Sequence, residues 1–376
     1  SSGCADMSTE PSAVRNEFLT SVAFSTSPNV TVLMSVHNGE RYLREAVESI
    51  LVQSFDDFEF LIIDDCSTDA SRTILAEYEK RDSRIIVVEN EQNVGLSQSL
   101  NRGLSLACGK YIVRMDADDI SLPERLQKQV AYMESHPLVG VLGTNIIYID
   151  ERGIPTASGR PKDRQPESAR VIKWLLLWRN CIYHPTVILR RYVLESENLK
   201  YNPLYTYSQD RELWTRLVKY TTITKLPQVL VKYRITSDSI SRARRQEQLK
   251  ASNAITQREL SSLLGQHVSE QVVRLCSFCA EDRLQTLNVQ DFVSASDTLI
   301  QAYQRFCDSP LTKHDRAQIK SDVARRLAYI AVQASRYSRR SVYIVLWKMW
   351  RLSTASCLSL SICQEIAKAL TGMPRR

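Results

Sequence analysis

Three aspartates stand together directly after a short apolar run. In KYIVRMDADDISL, residues 110–122, the run ends in Asp116, Asp118 and Asp119. Like charges this close repel one another, so holding them in place costs free energy unless a cation lies among them. Carboxylate oxygens suit hard divalent cations, and a Mg²⁺ or Mn²⁺ site takes one or two of them and leaves the rest to water and phosphates. The pattern predicts a metal at Asp116 and Asp118 that neutralises a diphosphate as a Lewis acid, with a solvated acidic turn as the alternative.

A second acidic pair, Asp64 and Asp65, follows another apolar run in IIDDCSTD, residues 62–69. Carboxylates there can accept hydrogen bonds from ribose hydroxyls or a base N–H. The alternative is a turn in which a Ser, Thr or Asp of the same stretch caps a helix. The sequence has no GxGxxG after its first apolar run and no GxxxxGK[ST] anywhere. A dinucleotide dehydrogenase and a P-loop NTPase are therefore disfavoured, and a metal and side chains must hold the phosphates.

The elements that position these residues alternate between strands and helices. Apolar, β-rich segments predict strands at 30–36, 58–63, 84–90 and 110–115, and helical spacing lies at 40–53, about 69–80 and 94–107. Strands this apolar predict a parallel sheet covered on both faces, which binds ligands beyond the carboxyl ends of its strands. The polar clusters at 35–38, 64–65 and 116–119 should therefore meet along one edge.

The rest of the chain predicts further elements and a change of character near residue 240. Ser121-Leu-Pro-Glu124 predicts a capping box that opens a helix to about Ser135. The pattern then predicts strands at 139–149 and 186–191, a polar loop at 160–165, and helices at 166–180 and 208–220. From 241 onwards it is almost wholly helical, with breaks near Gly265, Val289 and Pro310. We expect an α/β domain at 29–240, with a mostly parallel sheet flanked by helices, and an α-helical C-terminal region at 241–376.

Composition and cysteine usage bound the class of protein. The 376 residues are 43% hydrophobic and 24% charged, as in a soluble globular protein. The nine cysteines are odd in number and mostly lie in apolar segments, which favours reduced, buried thiols in a cytosolic protein. Zinc or redox chemistry at the single CxxC motif, Cys276 and Cys279, is the lesser alternative. The sequence contains no run of 18 apolar residues, so no membrane-spanning helix is predicted. Residues 1–28 show no apolar signal-peptide core and predict a flexible tail.

The positive charge is concentrated near the C-terminus. The net charge is +7, yet residues 301–376 hold 14 Lys or Arg and 4 Asp or Glu, a net of +10, which leaves −3 for the other residues. YIVLWKMW, residues 343–350, mixes tryptophans with Lys348 beside Arg351. An amphipathic helix at an anionic membrane surface has this composition, and a helix packed on the catalytic domain or in a dimer is the alternative. No motif supports nucleic-acid binding.

Four blocks of the sequence resemble the family 2 glycosyltransferases of the GT-A fold. VTVLMSVHNGERYLREAVESILVQSFDDFEFLIIDDCSTD (30–69) resembles their opening, and NVGLSQSLNRGLSLACGKYIVRMDADD (93–119) resembles the next block, which ends in the metal-binding DxD. The acceptor-side segments of the family are resembled by two later blocks, NCIYHPTVILRR (180–191) and YSQDRELWTRL (207–217). The blocks occur in the family's order over about residues 28–240, which implies a nucleotide-sugar-binding half at 29–120 and an acceptor-binding half at 121–240.

The resemblance implies a role for individual residues. The nucleotide-sugar site would be lined by Ser35, His37, Glu40, Asp64, Asp65, Asn93, Asn101, Asp116, Ala117 and Asp118, with the metal at Asp118 and Asp116. The residues expected on the acceptor side are Asp119, Trp174, His184 and Gln209. For Trp174 and His184 the alternative is a packed core residue.

Asp210 matches the general base of the inverting members. Inversion needs one in-line displacement, and a carboxylate opposite the leaving diphosphate must take the proton of the acceptor hydroxyl. Asp210 begins a predicted helix whose buried face carries Leu213, Trp214 and Leu217, so it can be held firmly at a cleft. The alternative is an acidic residue favoured at a helix N-terminus by the macrodipole.

Four positions depart from the family's usual residues. His37 stands in place of a Tyr and keeps a face for stacking on the base, although it is titratable. Ser35 replaces a Pro, Gln209 replaces a Glu, and Cys66 replaces a Gly, which predicts a different turn there. None of the four removes a metal-binding Asp or the expected base.

These features predict an inverting glycosyltransferase that uses Mn²⁺ or Mg²⁺. It would move a sugar from a nucleoside diphosphate, with UDP favoured, to a hydroxyl of a glycan or lipid-linked glycan in polysaccharide biosynthesis. It would act in the cytoplasm, at the inner face of the cell membrane if the C-terminal helices bind there. Two rival hypotheses are a phosphatase-like hydrolase, with Asp116 as nucleophile and Asp118 as acid, and a catalytically idle protein that binds sugar nucleotides.

Overall fold

A computed structural model describes residues 27–156, 168–236, 244–278, 287–337 and 339–352. The predicted tail, the 160–165 loop and Cys279 fall wholly or mostly outside these residues. The described strands are β1 Val30–Val36, β2 Phe58–Asp64, β3 Ile85–Glu89, β4 Tyr111–Asp116, β5 Ile120–Ser121, β6 Val139–Ile149, β7 Ile188–Arg190 and β8 Thr222–Arg234. The helices of the first part are α1 Glu40–Leu51, α2 Ser71–Arg81, α3 Leu96–Leu106, α4 Arg125–Ser135, α5 Ala169–Leu176, α6 Arg191–Ser196 and α7 Gln209–Leu217. Those of the C-terminal region are α8 Arg245–Leu264, α9 Glu270–Cys276, α10 Val289–Cys307, α11 Lys313–Ala334 and α12 Arg339–Leu352.

The strands form one mixed sheet in the order β3-β2-β1-β4-β7-β6-β8-β5. The first four strands are parallel, as predicted, because each is joined to the next by a helix that packs on the sheet. Val36 of β1 pairs with Asp64 of β2, and Ser35 pairs with Asp116 of β4. The polar clusters that end β1, β2 and β4 therefore lie side by side at one edge, which confirms the predicted α/β arrangement.

The second half of the sheet is partly antiparallel and contains a strand that the sequence does not predict. β7 runs antiparallel to β4 and β6, whereas β8 runs parallel to β6. β8 contains Pro227, and proline usually rules out an inner strand because it lacks the N–H of a ladder bond. Here the register shifts between Gly143 and Asn145 opposite Pro227, so the proline lies in a bulge. The side chain of Asn145 donates to the carbonyl of Pro227 at 2.6 Å and closes this bulge.

The predicted capping box at Ser121 is wrong. Ser121 belongs to β5 and pairs with Val231 of β8, and its backbone N–H donates to the hydroxyl of Ser49 at 3.0 Å. α4 begins only at Arg125, and Glu124 precedes it without a side-chain capping bond. The strand pairing with β8 competes with the local cap, and a local sequence pattern does not contain that pairing.

Each face of the sheet has its own hydrophobic core. One core lies under α1, α2 and α4 and includes Leu43, Leu75 and Leu126. The other lies under α3, α5 and α7 and continues into the C-terminal helices, where it includes Leu299 of α10 and Leu327 of α11. The helical region that follows β8 is therefore packed on the sheet domain through shared apolar burial. None of the described helices is both long and apolar enough to cross a bilayer.

A buried polar cluster joins α5 to the C-terminal helices and corrects one prediction. The ring of Trp174 is fully buried, and its N–H donates to the carboxylate of Asp322 in α11 at 2.8 Å. Arg326 donates to the same carboxylate at 2.8 Å and lies 4.7 Å from the ring centroid of Trp178. Trp174 has no face left to stack on a sugar, so its expected acceptor-side role is wrong and the core alternative holds. The neighbouring thiol of Cys276 is buried as well, and burial raises its pKa to about 12.

Candidate active site

The three aspartates form a compact carboxylate cluster at the carboxyl edge of the sheet. Asp116 is the last residue of β4, and Asp118 and Asp119 lie in the turn to β5. Each offers a carboxylate oxygen within 4.8 Å of the others, and the part of the chain that the structure describes has no second group of metal-ligand side chains like it. Asp116 and Asp118 are half-buried and Asp119 is buried.

Arg114 is the cation among these carboxylates, and it was not predicted. It lies two residues before Asp116 on the same side of β4, is buried, and forms an ion pair with the Asp116 carboxylate. Burial alone would lower the pKa of Arg114, but Asp116, Tyr201 and Asp119 together raise it. Arg114 therefore stays charged beneath the cluster.

The charges of Arg114 and Arg234, which both lower the pKa of Asp118, do not balance the three carboxylates. Burial, and then the charge of Asp116, raises the pKa of Asp118 to about 6. Burial, and then Asp118 and Asp116, raises the pKa of Asp119 well above its usual value. One oxygen of Asp119 accepts from the backbone N–H of Arg234 at 2.8 Å, and the other is buried without a hydrogen-bond partner. Oxygen donors, excess negative charge and an orphaned oxygen together fit a hard divalent cation.

The end of β8 fixes the turn that carries the cluster. The side chain of Arg234 donates to the carbonyl of Asp118 at 2.8 Å and to that of Asp150 at 3.1 Å, and it forms an ion pair with Glu45 of α1. Since these bonds hold Asp118 and Asp119 from behind, the carboxylates are oriented before any ligand binds. Arg234 was missed because β8 itself was missed. The predicted acceptor-side place of Asp119 is wrong, because its carboxylate is enclosed in this cluster.

Three of the predicted nucleotide-binding residues meet at the neighbouring strand end. The Nδ1 atom of His37 lies 2.8 Å from the carbonyl oxygen of Asp65, and its Nε2 atom lies 3.0 Å from the amide of Asn93. The buried carboxylate of Asp65 accepts from the backbone N–H groups of Val94 at 2.9 Å and Gly95 at 2.8 Å. The imidazole is therefore held at its edges and remains exposed. Its free face lies on the same sheet edge as the carboxylate cluster.

Ser35 and Ala117 link this pocket to the carboxylate cluster. Ser35 is half-buried and pairs with Asp116 across the two strands. The loop after β1 passes so close that a Cβ atom placed on Gly39 would lie 3.8 Å from that of Ala117 and only 2.7 Å from Val36. A larger residue than glycine at position 39 would clash with the side chain of Val36, so that side chain or the loop would have to move.

Two other predicted ligands hold loops in place. The carboxylate of Asp64 is fully buried and accepts from the Ser67 hydroxyl and from Arg72 at 3.1 Å. Glu40 accepts from the backbone N–H of Ala70 at 2.8 Å, just before α2. The structure therefore assigns Asp64 to the loop and not to direct nucleotide contact, while contact by the exposed Glu40 stays a prediction.

Asn101 also has a different role from the predicted one. Its amide nitrogen donates to the carbonyl of Tyr201 at 2.8 Å, and its oxygen accepts from the N–H of the same residue at 2.8 Å. Asn101 thus ties α3 to the segment that leads to α7, and we correct its assignment to a positioning role.

Cys66 retains the backbone conformation that glycine would favour. Its φ angle is 58°, in the left-handed region, where a side chain costs roughly 1–2 kcal/mol. The loop therefore carries local strain at Cys66, and a turn that differs from the family's stays a prediction.

Asp210 lies in the first turn of α7, at the wall of a cavity. One carboxylate oxygen accepts from the amide of Asn180 at 2.5 Å, and the other accepts from the N–H of Arg211 at 2.8 Å. Burial raises the pKa of Asp210, although both hydrogen bonds act to lower it. A carboxylate with a raised pKa is a stronger proton acceptor. Asn180 was not predicted as a partner, because the two residues are 30 positions apart.

The cavity beside Asp210 is completed by the C-terminal region. Its volume is about 310 Å³, and its lining consists of Asn180, Ser208, Asp210, Arg211, Arg245, Gln248, Leu249 and Ser252. Arg211 is buried and donates to the carbonyls of Leu177 at 2.9 Å and Ser252 at 2.7 Å. It thereby fixes α8 against the helix that carries Asp210. Ser208, just before α7, has a φ of 65°, and backbone strain of this kind is common at functional sites.

Tyr233 and Arg114 each interact electrostatically with Asp210 and with the carboxylate cluster. Burial and the charges of all four aspartates raise the pKa of Tyr233 well above its usual value. The charge of Arg114 acts to lower the pKa values of Asp118 and Asp210. One ring and one guanidinium are therefore within electrostatic reach of both sites.

The remaining acceptor-side candidates lie near Asp210 but differ in access. His184 is buried, and its Nε2 atom lies 2.8 Å from the hydroxyl of Tyr201. Burial, and then Arg114, holds the pKa of His184 well below its usual value, so the ring is neutral. This favours the packed-core alternative for His184. Gln209 is the first residue of α7 and is half-buried, and its acceptor-side role stays a prediction.

The mixed α/β sheet, with helices on both faces and carboxylates beyond its carboxyl edge, matches the GT-A fold of glycosyltransferases. S. aureus TarS, residues 1–349 in complex with UDP-GlcNAc, has this fold with a TM-score of 0.54, at 17% identity and 93% coverage of each chain.

Sequence comparison gives the family directly. The sequence model of Glycosyl transferase family 2 matches residues 31–196. An uncharacterized glycosyltransferase of Haemophilus influenzae is 32% identical over 241 residues, which are 63% of this chain and 75% of the relative. The amylovoran biosynthesis glycosyltransferase AmsE of Erwinia amylovora is 33% identical over 217 residues, 57% of this chain and 79% of the relative. The chain belongs to glycosyltransferase family 2, and it is a glycosyltransferase.

Proposed function

We propose that this enzyme transfers a sugar with inversion from a nucleoside diphosphate to a hydroxyl of a glycan or lipid-linked glycan. The observation that carries the proposal is that the Asp116–Asp119 cluster and Asp210 both lie within electrostatic reach of Arg114 and Tyr233. One site suits the departing diphosphate and the other suits the attacking hydroxyl. Relatives named for amylovoran and O-antigen biosynthesis support a role in polysaccharide assembly.

The donor site combines the carboxylate cluster with the His37 pocket. Asp118 and Asp116 would hold Mn²⁺ or Mg²⁺, and the bound cation would neutralise the diphosphate leaving group. His37 would stack on the base, Asn93 and Asp65 would orient it, and Ser35 and Ala117 would line the path between base and phosphates. The complex of TarS with UDP-GlcNAc supports a UDP-sugar as donor.

Asp210 would act as the general base. The hydrogen bonds from Asn180 and Arg211 fix its carboxylate, and burial keeps its pKa raised. An acceptor hydroxyl in the 310 Å³ cavity would give its proton to Asp210 while its oxygen attacks the anomeric carbon. Gln209 and the α8 residues that line the cavity would contact the acceptor sugar.

The free thiols of Cys181 and Cys276 are compatible with a cytoplasmic enzyme.

The test is turnover of a panel of nucleotide sugars with Mn²⁺ or Mg²⁺, followed by NMR of the anomeric proton. A donor that is transferred or hydrolysed should give product of inverted configuration. Asp210→Asn should keep nucleotide affinity and lose roughly 10²–10⁴-fold in turnover, which is the usual contribution of a general base. Asp56→Asn, whose side chain is 91% exposed, is the matched control and should be fully active.

Four results would overturn the proposal. Retention of configuration would exclude the single displacement, and full activity of Asp210→Asn would remove the base. Phosphate release from simple esters without sugar transfer would favour the hydrolase, and binding without turnover would favour an idle protein.

A further inference from the structure

The last described helix, α12, buries one side and exposes the other. Ser341, Val342, Val345 and Met349 are buried on its inner side, where α12 packs against α10 and α11. Lys348 also points inward at the margin and forms an ion pair with Asp297 of α10 at 2.7 Å. The helix is therefore firmly docked, and its outer side is presented in a fixed orientation.

The outer side carries an exposed aromatic stripe, made of Tyr343, Trp347 and Trp350. These residues are spaced four and three positions apart, so they lie on one face of the helix. Their exposed fractions are 65%, 54% and 71%. The other three tryptophans of the chain, Trp174, Trp178 and Trp214, are buried. Exposing two neighbouring tryptophans costs free energy in water, and a patch of this kind usually marks an interaction surface.

Two arginines flank the aromatic stripe. Arg340 and Arg351 are exposed, and helical spacing places both beside Trp347 on the outer side. The guanidinium of Arg351 lies 4.8 Å from the ring centroid of Trp347. The sequence of α12 contains no acidic residue, and residues 301–376 as a whole carry a net charge of +10. The partner of this face should therefore be both amphipathic and anionic.

We propose that the aromatic stripe of α12 docks on the surface of a bilayer that contains anionic phospholipids. Tryptophan and tyrosine place their rings at the level of the headgroups and keep their polar atoms in water. Arginines beside them pair with lipid phosphates, and basic residues near such a surface are attracted by its negative potential. An interfacial helix of this type lies flat, which suits α12 because its opposite side is already packed. Docking would also bring the enzyme to an acceptor carried on a lipid, and this consequence alone depends on the proposed function.

The experiment is cosedimentation of the full chain with vesicles of phosphatidylcholine alone or of phosphatidylcholine and phosphatidylglycerol in equal parts. The wild type should bind the anionic vesicles and leave the neutral ones. Trp347→Ser with Trp350→Ser should reduce the partition coefficient at least tenfold, and Arg340→Gln with Arg351→Gln should reduce it and weaken its salt dependence. Tyr192→Ser with Tyr220→Ser removes two aromatic residues of similar exposure elsewhere and should bind as the wild type does.

Thermal melting and donor hydrolysis of each variant separate loss of docking from loss of fold. The tryptophan variant should melt and hydrolyse donor as the wild type does, so failure of the proposed function would not affect the vesicle result. Equal binding of the wild type and the tryptophan variant, or equal binding to neutral and anionic vesicles, would overturn the proposal. So would a wild-type dimer in analytical ultracentrifugation that becomes a monomer in the tryptophan variant, because the stripe would then be a subunit interface.

Discussion

At the scale of single residues, Arg114 accounts for the tolerance of three neighbouring aspartates. Its buried charge pairs with Asp116 and also acts on Asp118, Asp119 and Asp210. The raised pKa values of Asp118 and Asp119 indicate that this charge is insufficient, even together with that of Arg234. The site is therefore poised to bind a further cation, and the metal-free protein should bear a measurable electrostatic cost.

That cost gives a prediction about pH. The pKa of Asp118 is about 6 in the folded protein and near its usual 3.8 in the unfolded chain. Because folding raises this pKa, the charged carboxylate destabilises the fold above pH 6, and the cost disappears as the pH falls from 6 towards 4. In EDTA, Asp118→Asn should therefore be more stable than the wild type at pH 7.5, by about 1 kcal/mol after solvent screening. The difference should shrink at pH 4.5.

Differential scanning calorimetry of the wild type, Asp118→Asn and the exposed control Asp56→Asn measures this difference. The control should show no pH-dependent gain. An Asp118→Asn variant that is less stable than the wild type at pH 7.5 in EDTA would mean that the carboxylates are not in conflict.

Residue roles were predictable where short motifs carry them. The adjacency of Asp116 and Asp118 and the meeting of His37, Asp65 and Asn93 follow from strand ends on one sheet edge. Arg114, Asn180 and Arg234 were not predictable in this way. Arg114 stands inside an apolar run, where periodicity hides it, and the other two act through contacts between distant parts of the chain.

At the scale of elements, β8 shows where sequence patterns fail. Strands β1 to β4 are short apolar runs with helices between them, so each can be recognised alone. β8 has 13 residues, includes Pro227, and owes its formation to pairing with β6 and β5. Its C-terminal end supplies Tyr233 and Arg234 to the site, so the missed strand also explains the missed residues.

The contact between α5 and α11 yields a second prediction. Trp174→Phe keeps an aromatic ring but removes the N–H that donates to Asp322, and it leaves a small cavity. The variant should lose roughly 2–3 kcal/mol of unfolding free energy, with unchanged affinity for UDP. Urea denaturation and calorimetry provide the two values.

Trp347→Phe is the matched control, since the same replacement at an exposed site should change stability by less than about 0.5 kcal/mol. If Trp174→Phe were as stable as the wild type and impaired sugar transfer instead, Trp174 would belong to the acceptor site after all.

At the scale of the whole molecule, the C-terminal helices and the sheet share one core. The apolar cluster that contains Leu33 of β1 also contains Leu299 of α10 and Met349 of α12. Helical periodicity in residues 241–376 predicts the helices but not the surface on which they pack, since each helix shows only that it has an apolar side. The predicted boundary near 240 therefore marks a change of secondary structure, and whether it separates independent domains stays a prediction.

The shared core predicts that the two parts unfold together. Leu299→Ala creates a cavity in α10 and should cost about 2–5 kcal/mol. We expect one calorimetric transition in the wild type. In the variant, helix content and UDP-binding competence should be lost at one melting temperature, which lies below that of the wild type. Two transitions, of which only one shifts, would show instead that the sheet domain folds independently of α10.

The central claim is that the acidic edge binds a nucleoside diphosphate through a divalent cation. Isothermal titration calorimetry of UDP into the wild type, with Mn²⁺ or with EDTA, and into Asp118→Asn with Mn²⁺, tests it most directly. The account predicts binding to the wild type with Mn²⁺ and at least tenfold weaker binding in the other two titrations. Equal affinity in all three, or no binding in any, would contradict it.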